Sequence, residues 1–378
     1  MKLLIVQPYL NQRGGVDRVV LEIAKHFSAK ILTLEYDKSS VFSEFRDVDV
    51  EVIGKDVPFS KSLPYRAAQG LKYGYNFYNL KLEEDYDVVN PHMSPSEWIR
   101  HKNKRVLWYC HTPVREVYDL YNVRMQNRPK REKLLYAAFA HTYKLIAGRV
   151  TKKIEAIATN SANTQDRVKK YFGRESIIIN PGVDADKFKN EGDEKFFLYP
   201  ARILLNKRQD YAIDAFKAFI KKREANGYKL VIAGSLSNDP EHQKYFERIK
   251  YMSKGLDIKI KLNISDKELL KLYSTCTGVL FTAINEDFGL VPLEAMASSK
   301  PVVSVNEGGP METIVDGKTG FLVNSQQEMA QQMSYIVEHK DEAEKMGAEG
   351  RKRVENEYSW QKFFERFDPL VHQVADLK

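Results

Sequence analysis

The stretch from Asn285 to Val323, "NEDFGLVPLEAMASSKPVVSVNEGGPMETIVDGKTGFLV", contains the pattern that decides the fold. The residues just before it, "GVLFTAI" at 278–284, form an apolar run typical of a buried strand. The segment "LEAMA" at 293–297 is typical of a helix, so the residues between Glu286 and Leu290 form a short strand-to-helix loop. In doubly wound α/β sheets, ligands bind at such loops, beyond the carboxyl ends of parallel strands.

This loop carries groups suited to a polar, phosphate-bearing ligand. The backbone amides of Phe288, Gly289 and Leu290 fall at the predicted helix N-terminus, where amides have no partner within the helix. Glu286 and Glu294 stand on either side of them, eight positions apart. Pairs of sugar hydroxyls are natural partners for two such carboxylates. A carboxylate that merely complements the helix dipole would explain Glu294, but not the second acid and the glycine.

The rest of the chain repeats this alternation of strand-like and helix-like segments. The pattern predicts an α/β protein with two doubly wound, Rossmann-like units in series. The turn-rich segment 180–193, "NPGVDADKFKNEGD", is the predicted linker. We expect an N-terminal domain at 1–185, a C-terminal domain at 186–358 and a final helix at about 359–378 that packs back on the first domain. Ligands would then bind in the cleft between two facing units.

Three helix starts are predicted from their capping residues. Ser265, with Glu268 three residues later, has the pattern of a capping box. In "AIATNSANTQDRV" at 156–168, Asn163 or Thr164 is the expected cap of the next helix. Pro292 is expected at the first helical position, where its missing N–H costs nothing.

The net charge of the 378-residue chain is +8, and it is concentrated in the first half. Between residues 100 and 170, 17 Lys and Arg accompany 5 Asp and Glu, which gives +12 and predicts an anionic partner. No zinc-ligand spacing, recognition-helix signature or RNP-like strand is present, so nucleic acid is not expected. An anionic membrane surface or a phosphate-bearing acceptor fits better, and solvated helix faces are the alternative. The candidate residues for this acceptor or membrane face surround a Pro turn: Arg124, Arg128, Lys130, Arg131 and Lys133.

Other features of the sequence bear on the compartment. No apolar run approaches the roughly 18 residues of a membrane-spanning helix, and "LLIV" at 3–6 is too short for the core of a signal peptide. Cys110 and Cys276 lie far apart in unrelated surroundings, which favours reduced, buried thiols over a disulfide or a metal cluster. We expect a cytoplasmic protein whose basic segment can contact the inner face of a membrane.

Two segments of the second half resemble a known family. The strings "EDFGLVPLEAMASSKPVV" at 286–303 and "GGPMETIVDGKTGFLV" at 308–323 resemble the E-x7-E signature of glycosyltransferase family 4. "ARILLNKRQD" at 201–210 resembles the "GR-x4-K-G-x-D" segment of that family, with Arg202 and Lys207 as the cations for a diphosphate. Ala201 and Arg208 stand where the family has glycine, but both cations remain.

Two segments of the first half resemble the same family. "NQRGGVDRVV" at 11–20 is similar to its glycine pair, so that Gly14 and Gly15 let the backbone approach the donor phosphates or the acceptor. A G-x-G-x-x-G fingerprint is absent, which argues against a nicotinamide enzyme. "WYCHTPVREVYDLY" at 108–121 places His111 where the family has a histidine that contacts the donor sugar, although a lone histidine is more often structural. This string and Asp287 resemble O-antigen-type mannosyltransferases.

The resemblance implies the GT-B fold and a retaining transfer of a hexose, with mannose from GDP-mannose as the expected donor. The acceptor is expected to be a hydroxyl of a lipid-linked or other glycan. His111 and Glu286 are the implied catalytic residues: Glu286 holds sugar hydroxyls and His111 lies near the reacting face of the sugar. Glu294 is expected to bind the ribose of the donor. Gly308, Gly309 and Glu312 are expected to shape the turn behind the phosphates. The implied donor-binding residues are Gly14, Gly15, Arg202, Lys207, Ile264, Asp287, Phe288, Gly289, Leu290 and Glu294.

No metal ion or cofactor is expected in this reaction. The two cations and the helix amides stabilise the leaving diphosphate in place of a divalent ion. The resemblance implies that the leaving phosphate takes the proton of the acceptor hydroxyl in a same-face substitution.

Three other functions are compatible with the sequence. The same family includes enzymes for UDP-sugars, so UDP-glucose or a UDP-hexuronic acid is an alternative donor. A sugar-nucleotide epimerase or another GT-B enzyme is a second alternative. A nucleotide-sugar-binding protein without turnover is a third, although the intact Glu286, Arg202 and Lys207 argue against it.

Overall fold

The computed structural model of the protein describes residues 1–53, 63–126 and 128–377. The chain forms two compact units: 1–180 together with 364–378, and 181–363. The division at residue 180 falls at the start of the predicted linker segment. In the described residues, no helix is both long and apolar enough to cross a membrane.

The first unit is built on parallel strands. They run in the order β3-β2-β1-β4 in one sheet and β5-β6-β7 in another, and a parallel bridge from Val89 to Val106 links β4 to the residue before β5. The strands are β1 Leu3–Leu10, β2 Lys30–Tyr36, β3 Val50–Val52, β4 Val88–Pro91, β5 Leu107–Cys110, β6 Ala156–Thr159 and β7 Ile177–Ile178. The helices are α1 Gly15–Phe27, α2 Leu63–Asn79, α3 Tyr121–Gln126, α4 Lys130–Thr151 and α5 Ala162–Phe172.

The second unit contains one parallel sheet of six strands, in the order β10-β9-β8-β11-β12-β13. The strands are β8 Phe196–Pro200, β9 Lys229–Gly234, β10 Ile258–Leu262, β11 Gly278–Phe281, β12 Val302–Val305 and β13 Phe321–Val323. The helices are α6 Gln209–Phe219, α7 Pro240–Met252, α8 Asp266–Thr275, α9 Leu290–Ala297, α10 Pro310–Thr313, α11 Gln326–Glu338 and α12 Lys340–Glu357. The last helix, α13 Trp360–Ala375, begins in the second unit and ends in the first.

The predicted α/β class and the alternation of strands and helices are confirmed. The central strands "FFLYP" of β8 and "GVLF" of β11 are wholly buried, as expected for strands covered by helices on both faces. The short helix α10 and the edge strand β13, both of which lie within the stretch 285–323, were not predicted from the sequence.

Two of the three predicted helix starts differ in detail. The side chain of Ser265 accepts a hydrogen bond from the amide of Glu268, so this predicted cap is confirmed. The prediction of Asn163 or Thr164 as a cap is wrong, because Ser161 is the capping residue of α5 and accepts from the amide of Thr164 at 3.0 Å. Pro292 is the third residue of α9 rather than the first, a position whose N–H still has no partner within the helix.

The packing of α12 against α9 depends on a glycine. A Cβ added to Gly347 in α12 would lie 2.1 Å from the carbonyl oxygen of Ser299, which follows the end of α9. No real Cβ tolerates that distance, so only glycine lets the two helices approach this closely. Since α9 carries Glu294, this contact also positions one of the predicted site residues.

We predict that Gly347→Ala destabilises the protein by about 1–3 kcal/mol, because the added methyl overpacks a backbone contact. The matched control is Gly148→Ala in α4, where an added Cβ meets nothing within 4 Å. It should instead stabilise its helix by up to about 1 kcal/mol, the difference in helix propensity. Thermal unfolding of both variants should give shifts of opposite sign. A Gly347→Ala variant as stable as the wild type would contradict the packing argument.

Candidate functional site

The strand order of the second unit determines where its loops meet. The chain proceeds from β8 outward through β9 and β10, and then returns to place β11 on the other side of β8. This reversal is a topological switch point, where the loops after β8 and β11 diverge to opposite faces and leave a crevice. The segment with Lys207 follows β8, and the segment with Glu286 follows β11.

The two segments are in contact in the structure. The Nζ atom of Lys207 lies 2.7 Å from both carboxylate oxygens of Glu286. Both side chains are mostly buried, with 15% and 20% of their surface exposed. The amide of Ile284 also donates to the carbonyl of Asn206 at 2.9 Å. Lys207, the predicted phosphate-binding cation, is therefore in direct contact with Glu286, the predicted sugar-binding acid.

The turn that carries Lys207 is held from below by buried hydroxyls. The hydroxyl groups of Tyr199 and Thr282 both donate hydrogen bonds to the backbone carbonyl of Lys207. Thr282 lies just after β11, so this interaction ties the turn to the neighbouring strand. Burial raises the pKa of Tyr199 far above its ordinary value, and its phenol remains a neutral donor.

Arg208 occupies a position that favours glycine. Its φ of +54° lies in the left-handed region, which explains why the family pattern has glycine there. The side chain compensates by two contacts, from Nε to the carbonyl of Thr282 at 2.6 Å and from Nη2 to Glu307 at 2.9 Å. Glu307 also accepts from the amide of Asn285 at 3.2 Å. Arg208 thus fastens the turn to the loop that contains Glu286.

The N-terminus of α9 has the predicted open amides. Gly289 precedes the helix with a φ of +85°, a conformation that glycine adopts without strain. Among the described residues, the amides of Phe288, Gly289 and Leu290 have no hydrogen-bond partner. Phe288 and Gly289 are buried, whereas Asp287 and Leu290 are half-buried. These donors suit an anionic or hydroxyl-bearing ligand.

Glu294 is fixed by a residue that the sequence did not single out. The hydroxyl of Tyr273, at the end of α8, donates to Oε2 of Glu294 at 2.6 Å. Burial and the adjacent carboxylate raise the pKa of Tyr273 well above its ordinary value, so the phenol stays protonated. The second carboxylate of the E-x7-E pattern is therefore oriented before any ligand binds.

Two glycines support the Glu286 loop from the other side. A Cβ on Gly309 would lie 2.2 Å from the carbonyl oxygen of Phe288, and a Cβ on Gly308 would lie 2.5 Å from that of Glu286. The amide of Gly309 donates to the carbonyl of Glu286 at 2.8 Å. Glu312, the third predicted residue of this turn, lies in α10, and its carbonyl accepts from Arg353 and Tyr358. The glycine pair thus packs directly against the site loop.

Two further predicted donor residues lie at the edges of the second unit. Arg202 follows β8 and is exposed, and its carbonyl accepts from Gln209 at 2.8 Å. Ile264 is half-buried and follows Asn263, whose φ of +53° turns the chain sharply after β10. The backbone of Ile264 forms no hydrogen bond with any described residue. Its N–H and carbonyl are thus open to a ligand, as expected for a donor-binding residue.

In the first unit, Gly14 and Gly15 lie where β1 leads into α1. Gly14 is the residue before the helix, and its carbonyl accepts from the amide of Arg18. Asp17 in the first helical turn is fully buried and accepts from Gln7 at 3.0 Å. This buried acid, which the sequence analysis did not include, places a carboxyl group at the helix terminus beside the glycine pair.

His111 directly follows β5 and is largely buried. Its Nε2 lies 3.0 Å from Nδ1 of His92, a residue that follows β4 and that the sequence analysis missed. The carbonyl of His111 accepts from Asn160 at 3.0 Å and from Thr164 at 3.3 Å. Burial lowers the pKa of His111 to about 3, so the ring is neutral at pH 7.

The five basic residues of the predicted acceptor or membrane face do not all lie on the surface. Arg124 is partly exposed near Glu116 at 3.6 Å, Lys130 and Arg131 are exposed, and Lys133 is half-buried. The prediction that Arg128 belongs to this exposed face is wrong. Its guanidinium stacks 3.8 Å from the ring centroid of Tyr136, and only 7% of its side chain is exposed. The aromatic ring and the carboxylate of Glu132, 3.9 Å from Nη1, hold this cation within the unit.

Exposed leucines accompany these cations. Leu134 and Leu135 of α4 are 81% and 67% exposed, and Leu145 is 46% exposed. The charge pattern of the sequence does not indicate these apolar residues. Their helical spacing relative to the buried Tyr136 and Ala140 was a signal that could have indicated an outward apolar face.

Comparison with known families matches nearly all of the chain to glycosyltransferases. The model for glycosyltransferase family 4 matches residues 13–187, and the model for glycosyl transferases group 1 matches residues 183–353. The first covers the segment of Gly14 and His111. The second covers Lys207, Glu286 and Glu294.

Similar proteins extend this match to whole chains. The alpha-1,3/1,6-mannosyltransferase ALG2 of Dictyostelium discoideum is 26% identical over 99% of this chain and 98% of its own length. Sucrose-phosphate synthase from Thermosynechococcus elongatus has a similar structure, with a TM-score of 0.77, 17% identity and coverage of 99% of both chains. HepE of Anabaena, crystallised with UDP-glucose, gives a TM-score of 0.74 at 16% identity and covers 99% of this chain and 100% of its own. The chain therefore belongs to the family 4 glycosyltransferases, and it is a hexosyltransferase with the GT-B fold.

Proposed function

We propose that this hexosyltransferase is a retaining enzyme that transfers mannose from GDP-mannose to a hydroxyl of a lipid-linked or other glycan acceptor. The observation that carries the donor site is the contact of Lys207 with Glu286 beside the open amides of α9. The choice of mannose is supported by ALG2, a mannosyltransferase by name that is similar over its whole length.

In the proposed mechanism, the second unit stabilises the departing diphosphate. Lys207 and the amides of Phe288 to Leu290 provide positive charge and N–H donors that are already in place, so little reorganisation is needed as negative charge develops. Arg202, an exposed residue, is the second proposed cation. Glu286 accepts from sugar hydroxyls while it keeps Lys207 in position. Glu294, held by Tyr273, accepts from the ribose hydroxyls. No step in this scheme requires a metal ion, and metal independence remains a prediction.

A UDP-sugar is the alternative donor. It is favoured by the crystal structures of HepE with UDP and UDP-glucose, although that protein shares only the fold at 16% identity. UDP-glucose and a UDP-hexuronic acid are the candidates from the sequence. The sugars differ in a few hydroxyl contacts, and none of the described residues decides among them.

Calorimetric titration with a panel of nucleotide sugars should show that GDP-mannose binds more tightly than UDP-glucose or UDP-glucuronic acid. The same panel, incubated with a lipid-linked glycan in the presence of EDTA, should give product with GDP-mannose. If only a UDP-sugar gives product, the donor is that UDP-sugar and not GDP-mannose. Donor binding without product from any acceptor would favour a protein without turnover, and release of an altered nucleotide sugar would favour an epimerase.

Glu286→Ala should abolish transfer, because the acid binds substrate. It should lower the melting temperature but leave a folded protein, because the mostly buried Lys207 loses its partner. Glu247→Ala is the matched control, since it removes another glutamate whose two oxygens contact a lysine, Lys250 at 3.0 and 3.1 Å, on an exposed face of α7. Turnover and the melting temperature should be measured for both. The proposed role fails if Glu286→Ala folds normally and retains near-full turnover.

We also propose that the N-terminal half of α4 contacts an anionic membrane that carries the acceptor. Lys130 and Arg131 are each worth about 1 kcal/mol near an anionic leaflet. The exposed Leu134 and Leu135 would each add about 1.5–3 kcal/mol if fully buried in the interface. Cations next to an outward apolar pair are typical of a helix that lies in the interfacial plane.

The variant Leu134→Ser/Leu135→Ser should bind vesicles that contain anionic phospholipid much more weakly than the wild type in sedimentation assays. Tyr251→Ser is the control, because it removes an exposed apolar side chain from α7 of the second unit. Wild-type binding should also weaken steeply as salt is added, because the charges of the helix are exposed. No sedimentation with vesicles at low ionic strength would exclude this membrane surface.

A further inference from the structure

A chain of buried polar side chains runs across two strands of the first unit. Asn90 lies in β4, His92 follows that strand, and His111 follows β5. The Oδ1 atom of Asn90 lies 2.9 Å from Nε2 of His92, and Nδ1 of His92 lies 3.0 Å from Nε2 of His111. Asn90 and His92 are almost fully buried, and 7% of His111 is exposed.

We infer that Asn90 and His92 are positioning residues that fix the tautomer and ring orientation of His111, so that His111 presents an unprotonated Nδ1 to a substrate hydroxyl. The inference rests on the proposed function, because it concerns the histidine that the family resemblance places at the sugar. It adds a definite chemical role, that of a hydrogen-bond acceptor, and two residues that enforce it.

The donor and acceptor roles in this series of hydrogen bonds are set by the side-chain amide of Asn90. Its Nδ2 donates to the carbonyl of Leu107 at 2.6 Å, and a carbonyl oxygen can only accept, so the amide orientation is determined by its partner. Oδ1 must then be the atom that faces His92. Since this oxygen is also only an acceptor, Nε2 of His92 must carry a proton.

The proton on Nε2 of His92 determines the tautomers of both rings. A neutral imidazole has one N–H and one lone pair, so Nδ1 of His92 is an acceptor. Nε2 of His111 must donate to it, which leaves the lone pair of His111 on Nδ1. Burial lowers the pKa of His92 well below its ordinary value, and the proximity of His111 lowers it further, so both rings are neutral.

Further contacts hold the backbone of His92 and pack against its ring. Trp108 Nε1 donates to the carbonyl of His92 at 3.2 Å, and the amide of His92 donates to the carbonyl of Val6 at 3.0 Å. The rings of His92 and Tyr109 are stacked with centroids 5.5 Å apart. With its carbonyl held by Asn160 and its Nε2 held by His92, His111 has one ring atom left.

That remaining atom is Nδ1, which has no hydrogen-bond partner among the described residues. A lone pair there accepts from an O–H group but cannot donate to a phosphate oxygen. The group that His111 recognises is therefore a hydrogen-bond donor, which in a sugar is a hydroxyl, and a ring flip that would turn His111 into a donor is opposed by His92.

The test combines a spectroscopic signature with substitutions in the full-length chain. In long-range ¹H–¹⁵N correlation spectra of protein with ¹⁵N-labelled histidine, His111 should show a protonated Nε2 and an unprotonated Nδ1 at pH 7. His92 should show the same tautomer. Protonation of His111 at Nδ1 would overturn the inference, whatever the activity of the enzyme.

His92→Phe keeps an aromatic ring but removes both hydrogen bonds. It should shift the nitrogen resonances of His111 and lower kcat/KM about 10- to 100-fold, the range typical when a residue that orients a functional histidine is lost. His92→Gln should restore most of the activity, because its amide can donate to Asn90 and accept from His111. His26→Phe, which removes a histidine that contacts Asp368 at 3.1 Å, should leave activity unchanged.

The outcomes separate this inference from the proposed function. If the wild type transfers no sugar but has the predicted tautomers, the proposed function fails and the inference about the histidine pair stands. If His92→Phe has the His111 resonances and activity of the wild type, the positioning role is wrong. Should His92→Phe not fold, the tautomers of the wild type and the activity of His92→Gln still decide the question.

Discussion

The ion pair between Lys207 and Glu286 joins two loops that are 79 residues apart in the chain. It exists because the sheet reverses its strand order between β8 and β11, which brings the ends of two otherwise distant αβ segments to one crevice. In a mostly buried pair, each charge makes the burial of the other tolerable, and loss of one partner leaves an unpaired charge. The surrounding contacts all serve to keep the two loops at this distance.

Those contacts come from three directions. Tyr199 and Thr282 hold the Lys207 turn from below, Arg208 fastens it to the neighbouring loop through Glu307, and the Gly308–Gly309 turn closes on the Glu286 loop without room for a side chain. Arg208 accepts a left-handed backbone in order to make its contacts. A site that must stabilise charge in a transition state benefits from such rigidity, because its dipoles then need not reorganise.

The sequence predicted the positions of these strand-to-helix loops well because their signals are local. A glycine before a helix, an acid on either side and apolar strands in front lie within one short stretch, and the order of strands follows from periodicity. Arg128 and Tyr273 could not be placed in this way, since the stacking of one on Tyr136 and the bond of the other to Glu294 depend on tertiary packing. His92 was different: it follows a strand just as His111 does, and the same reasoning applied to β4 would have found it.

The polar groups of the two units differ in charge. The second unit uses full charges and helix amides, which suit a leaving diphosphate whose negative charge grows during the reaction. The first unit places neutral rings in a row, at a depth where burial would make a charged imidazole costly. A neutral ring can accept a hydrogen bond from a hydroxyl group without bringing a charge into the buried interior. The hydrogen bonds from Asn90 through His92 to His111 therefore keep this histidine a neutral hydrogen-bonding group within the first unit.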